Sequence, residues 1–259
     1  MRKDLLFALV LTALSTVFPG HAASIFADQI VSYDPGVGAA GQFLAPEAAL
    51  GPVSQENPFS DATDPFDPPY GPNQIVSIGE GGWLEVAFQT PILNHPHNLY
   101  GLDFTIFGNS GFVITNDFDP STFDWIDTPA TDASLFGQNL GSTRVLVSRD
   151  GAIYYELDPS LAPTVDGFAP TDGSGDPGLP VDPTLTAPDF AGATLEDIRT
   201  LYRGSAGGSS FDISWARDPA GRPAFLPEIK FVRVEVLSGK TEIDAFAKVS
   251  RLASPGTQR

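Results

Sequence analysis

The sequence predicts an all-β protein, a β-sandwich with one short helix and long Gly/Pro/Asp-rich loops. Three observations carry this. Several segments alternate apolar and polar residues with a period of two, and one segment alone combines helical spacing with helix caps. Between them the chain is broken by 26 Gly and 24 Pro, which suits loops joining strands better than packed helices.

In chain order, "GGWLEVAFQT" sets Leu84, Val86 and Phe88 on one face and Trp83, Glu85 and Gln89 on the other, the pattern of a half-buried strand. "GLDFTIFGN" follows as a second strand. "STRVLVSRDGAIYYELD" alternates Val145 and Val147, turns at Asp150-Gly151 and resumes, which is a hairpin signal. "TLEDIRTLYRGS" predicts the helix: Thr194 is the N-cap, Glu196 and Asp197 fill the first turn, and Gly204 is the stop. "KFVRVEVLSG" sets Val232, Val234 and Val236 against Arg233 and Glu235, and "TEIDAFAKV" ends the series. One helix among roughly eight strands indicates a sandwich with a helical insertion.

The chain opens with Arg2 and Lys3, an apolar run from Leu5 to Phe18 and small residues at Gly20, Ala22 and Ala23. This predicts a secretory leader at residues 1–22, a single sandwich domain at 23–250 and a disordered tail at 251–259. The leader's apolar run falls short of the about 20 residues that a membrane span needs. The expectation is therefore a secreted protein, periplasmic or extracellular, with no membrane span after cleavage. With no cysteine, stability must come from a packed core or a bound metal.

The net charge of −18 disfavours nucleic acid as a partner. Fifteen carboxylates, from Asp28 to Asp132, and neither Lys nor Arg lie between Ala23 and Thr143. Those acids must be solvated, matched to the basic residues from Arg144 onward, or neutralised by cations.

Ca²⁺ takes about six to eight oxygen ligands. "DGSGD" supplies Asp172, Ser174 and Asp176 at the spacing that opens an EF-hand loop. Pro177 and Pro183 then occupy the positions that need Gly and a bidentate Glu, so an EF-hand is excluded. Asp117 and Asp119 in "TNDFDPSTFDW" form a second acidic cluster. In "SSFDISWA" and "TEIDAFAK", Asp212 and Asp244 lie between apolar neighbours, where a carboxylate is costly unless paired or metal-bound. Arg217 or Arg233 could supply the pairing.

Enzyme signatures are few. His95 and His97 in "NHPHN" read as a polar loop more readily than a zinc site. "GNSGF" and "GGSSF" lack the spacing of a nucleophile elbow. Paired carboxylates of a glycan hydrolase are harder to exclude in so acidic a chain.

"APEAALGPV", "QIVSIGEGGWLEVAF", "GLDFTIFGNSGF", "STRVLVSRDGAIYYELDPSLAP", "PTDGSGDPGLPVDP", "SSFDISWARD" and "FVRVEVLSGKTEIDAFAKV" together resemble a family of exported bacterial cell-surface proteins that often end in a Pro-Glu-Pro sorting tail. The chain ends at Arg259 without such a tail, so release is expected over anchoring. The same segments are similar to discoidin-like, galactose-binding jelly rolls. That resemblance implies a jelly-roll sandwich, a carbohydrate ligand and a structural Ca²⁺ near the first and last strands, with Glu47, Glu242 and Asp244 as residues to test.

Sugar binding needs exposed rings beside polar groups. Trp83, Trp125 and Tyr70 are the expected platforms, while Trp215 is assigned to core packing. The expectation is thus a non-catalytic, Ca²⁺-stabilised binding module for glycans or other cell-envelope components. A structural or adhesive surface protein and a glycan-active hydrolase are the alternatives.

Overall fold

The computed structural model describes residues 24–59, 61–137 and 141–250. The expected leader at 1–22 and tail at 251–259 lie outside the described residues.

The strands in the first half are β1 (Gln29–Asp34), β2 (Val76–Gly79), β3 (Trp83–Leu93), β4 (Phe104–Phe107), β5 (Gly111–Ile114), β6 (Phe118–Asp119), β7 (Asp124–Trp125) and β8 (Ala130–Phe136). Those in the second half are β9 (Ser142–Ser148), β10 (Tyr155–Leu157), β11 (Ala193–Thr194), β12 (Ser209–Phe211), β13 (Ala216–Arg217), β14 (Glu228–Ser238), β15 (Lys240–Ile243) and β16 (Ala245–Lys248). Two helices join them, α1 (Ala187–Phe190) and α2 (Leu195–Tyr202). No helix among the described residues is long and apolar enough to cross a membrane.

The protein is all-β and its sheets are antiparallel. A six-stranded sheet runs β1-β3-β14-β9-β10-β13. Its inner face carries Leu84, Val86, Phe88, Val145, Val147, Val232 and Val234, all buried, as the period-two pattern requires. They pack against Phe104, Ile106, Phe211 and Phe246 of the sheet β12-β4-β16 and against Val76, Ile78 and Ile243 of the pair β15-β2, forming the main core of the sandwich. β4 is buried along its whole length. Phe104 and Ile106 face the main core, while Phe107 joins a small cluster with Val53, Ala206, Ala245 and Ala247. Thr105, on the second face, is buried too and shares a hydrogen bond with Ser210.

The outer face of the large sheet is polar. Register aligns Ser32, Glu85 and Arg233 across β1, β3 and β14, with Trp83 opposite Glu235 one step along. Glu85 accepts hydrogen bonds from Ser32 Oγ and the Tyr154 hydroxyl, and the Arg233 guanidinium lies 4.6 Å from the centre of the Trp83 ring.

A third sheet, β11-β8-β5, holds its own core with the helices: Phe112, Phe190, Ile198 and Tyr202 are buried together. α2 lies at the expected residues. Thr194 accepts from Asp197 N–H, and Asp197 reaches back to Thr194 N–H at 3.0 Å. The hairpin at Asp150-Gly151 also forms, joining β9 to β10. α1 and the third sheet were not among the expected elements, and "APDF" is too short to show a period.

Candidate functional site

The loop Thr164–Thr171 is held by contacts distant in sequence. Asp166 Oδ1 accepts from the N–H groups of Asn109 and Ser110, both at 2.8 Å. Ser110 Oγ donates to Gly167 C=O at 2.9 Å, Thr171 Oγ1 to Gly108 C=O at 3.0 Å and Ser209 Oγ to Thr164 C=O at 2.9 Å. Gly108 is required here, because a Cβ at that position would lie 2.1 Å from Asp166 Oδ1. Asp166 and Ala169 nonetheless adopt left-handed backbone, with φ of 56° and 72°. Strain of this kind in non-glycine residues collects at functional sites.

This loop forms the floor of a groove of ≈ 750 Å³. Phe168 and Trp215 supply aromatic surface, Ser142, Ser210 and Ser238 supply hydroxyls and Asp182 supplies a carboxylate, while the buried Asp166 and Ser209 brace the lining. Among the described residues no Lys or Arg lines it. Trp215 ends a 3-10 turn, Ile213–Trp215, whose N-cap is Asp212: its carboxylate accepts Ser214 N–H at 2.7 Å. Asp103 braces the same turn by accepting Ile213 N–H at 2.9 Å, together with His95 N–H and Asn98 Nδ2. Burial pushes the Asp103 carboxyl up to about 6 in spite of these bonds. The other wall is Val181, Asp182 and Pro183, from the Asp-rich loop. Burial opposes ionisation of Asp182, but hydrogen bonds from Thr184 and the charge of Arg203 outweigh it and hold the carboxyl below its ordinary value.

The residues predicted from the sequence are distributed as follows. Asp172 is buried and pairs with Arg199 at 2.7 Å. Asp176 accepts Gly178 N–H at 2.9 Å. Asp244 is buried against Ser54, accepting its N–H at 3.0 Å and its hydroxyl at 2.7 Å, and desolvation raises its pKa to about 7. Neither arginine considered for Asp212 and Asp244 reaches them: Arg217 pairs with Asp158, and Arg233 with Glu235 and Glu85. Backbone N–H groups do that work instead. Glu242 is buried between Asn109 Nδ2 at 2.8 Å and Lys240 Nζ at 3.0 Å, while Glu47 is exposed on a short 3-10 turn. Asp117 and Asp119 lie on the β6–β7 ribbon, where Asp119 is held by Ser121. Among the described residues no three His, Asp or Glu side chains gather as a metal cluster.

The expected platforms lie outside the groove. Trp83 donates its indole N–H to Ser32 Oγ at 3.0 Å under Arg233, Trp125 stands on the ribbon, and Tyr70 is half-buried beside Phe59. Trp215, expected as core, packs against the main core and also lines the groove.

A second cleft of ≈ 970 Å³ lies beside α2, where Asp64, Asp67, Glu196 and Arg199 meet Phe66 and Ile114. Desolvation raises both Asp64 and Asp67.

No protein-family model matches the chain, and no curated protein matches it.

Proposed function

We propose that the protein is an exported, non-catalytic glycan-binding module whose ligand lies in the groove beside Trp215 and Phe168. The observation that carries this reading is the pairing of two aromatic side chains with serine hydroxyls and the Asp182 carboxylate over a strained, braced loop. Ring faces stack on the apolar faces of pyranoses and the polar groups fix the hydroxyls. A lining without a cation favours neutral sugars over uronic or sulfated ones. The likeness to galactose-binding jelly rolls agrees with this ligand class, and the leader-like start supports export. A panel of neutral and acidic glycans tests the reading: retention of neutral glycans is expected, and no retention of any glycan would turn the assignment to a structural or adhesive surface protein.

One observation favours a second reading, a glycan hydrolase: Asp64 and Asp67 share a cleft, and desolvation raises the pKa of both. Their local bonds give each a structural task, since Asp64 Oδ1 accepts from Phe66 and Asp67 N–H and Asp67 accepts from Asn57. Release of reducing ends by the native protein and not by Asp64→Asn would establish hydrolysis.

We propose calcium as a stabilising ion only, on the strength of the acid excess in the first half of the chain. Thermal unfolding with excess Ca²⁺ and then with chelator tests it, since an ion bound to the native state alone must raise the midpoint.

A further inference from the structure

The β6–β7 ribbon carries an apolar tip. It continues the β5–β8 hairpin outward: Thr115 N–H donates to Ala130 C=O at 2.9 Å, and Ile126 N–H to Asp117 C=O at 3.0 Å. β6 and β7 form a sheet of their own. Phe118, Phe123 and Ile126 are 43 %, 85 % and 63 % exposed. The Phe118 ring meets Phe123 edge-on at 5.8 Å and Trp125 at 5.3 Å, so the three aromatics hold one another in a fixed arrangement outside any core. Phe123 has left-handed backbone, φ 59°, and its N–H is bound to Asp119 C=O at 2.9 Å. Single exposed apolar residues need no explanation, but a contiguous preorganised group marks a contact surface.

The chemistry around the tip selects the partner. Asp117, Asp119, Asp124 and Asp127 border the apolar residues, and the nearest basic residue in the sequence is Arg144. Among the described residues none of the four is in an ion pair. A second copy of the chain, with 32 Asp and Glu against 14 Lys and Arg, would meet this border with like charge. An anionic lipid surface would do the same. We infer that the tip docks into a protein partner whose contact surface is an apolar socket rimmed by Lys and Arg. The aromatics supply the desolvated centre of the contact and the four aspartates its polar rim.

The test uses fluorescence anisotropy with three labelled synthetic peptides, amphipathic Lys/Leu, Glu/Leu and Lys/Ser, with phosphatidylcholine vesicles as a fourth probe. The expected result is that Lys/Leu binds and Glu/Leu and Lys/Ser do not. Phe123→Ser combined with Ile126→Ser should weaken Lys/Leu binding at least tenfold, and added salt should weaken it further. Both positions are exposed, so the double variant should melt with the native protein. The inference is overturned if the variant binds Lys/Leu as tightly as the native chain, which would mean that charge alone acts. It is also overturned if Glu/Leu binds equally, if the vesicles bind and the double variant does not, or if sedimentation shows a dimer that the double variant loses.

Discussion

Arg199 grips Asp172 with two hydrogen bonds, Nε to Oδ2 at 2.7 Å and Nη2 to Oδ1 at 3.2 Å. The carboxylate is 1 % exposed, and Ser174 donates to it as well, through N–H at 3.0 Å and its hydroxyl at 2.6 Å. This pair ties the Asp-rich loop, 27 residues upstream, to α2. The loop's other end, Val181–Pro183, is then free to serve as a groove wall. Asp172 needs no cation to stay charged: burial raises its pKa, but Arg199 and Ser174 outweigh that and hold it below the ordinary carboxylate value.

Breaking the pair removes two charge-assisted bonds, and Arg199→Met leaves the buried Asp172 carboxylate without its cation. Asp172→Asn and Arg199→Met should each destabilise the protein by about 3 kcal/mol, at the low end for a buried pair, because the Arg199 side chain is 41 % exposed. Urea unfolding checks this, and a double-mutant cycle should return a coupling between the two positions. Single variants that unfold with the native protein would show that the pair adds nothing.

Asp244 and Asp103 set a pH dependence of the opposite sense. Their folded pKa values, raised by desolvation to about 7 and about 6, exceed the ordinary carboxylate value of 3.8. The native state therefore binds their protons more tightly than the unfolded chain does. Their contribution is complete below about pH 4 and is lost as pH rises through 6 to 7. Asp172, whose pKa is lowered, contributes above its unfolded pKa and loses that contribution in acid. Asp244→Asn keeps an acceptor for Ser54 without the charge, so it should gain stability over the native protein at pH 8 and lose that gain at pH 5. Urea midpoints at the two pH values are the measurement.

In the groove, Trp215→Ala and Phe168→Ala should each weaken glycan retention by about tenfold, the loss of one stacking ring being about 1.4 kcal/mol. Trp83→Ala should leave retention unchanged, since Trp83 is engaged by Arg233 and Ser32 on the sheet's outer face. Affinity electrophoresis against whichever neutral glycan binds separates the two classes of variant.

Gly108 carries the groove floor. Gly108→Ala would drive a methyl into Asp166, displacing the carboxylate from Asn109 and Ser110, with a cost of about 2–3 kcal/mol. Ligand binding should fall together with the thermal midpoint. A variant that melts and binds as the native protein does would release Asp166 from its bracing role.

The sheets were legible because alternation at Leu84–Phe88 and Val232–Val236 states which face is buried, and α2 was legible because Thr194 and Asp197 form a capping box. The groove was not. It is assembled by contacts such as Asp166 with Asn109, 57 residues apart, and by left-handed backbone at residues that are not glycine. One missed residue had a readable signal. Asp103 precedes the apolar run of β4 as Asp244 precedes that of β16, and the argument that a carboxylate among apolar neighbours needs partners applies equally to it. That argument found Asp212 and Asp244, but the arginines it offered them pair with other carboxylates. A carboxylate can be satisfied by the chain's own N–H groups, and sequence spacing carries no record of which loop will present them.

β4 is covered on both faces, while the β6–β7 ribbon stands at the edge of the fold with its apolar side chains in solvent. These two segments, joined by the short strand β5, should differ widely in local stability. Amide protons of Phe104–Phe107 should exchange with solvent only through opening of the whole sandwich, and those of the ribbon through smaller openings, which hydrogen exchange measures. Contact at the ribbon should therefore leave the sheet that carries the core undisturbed.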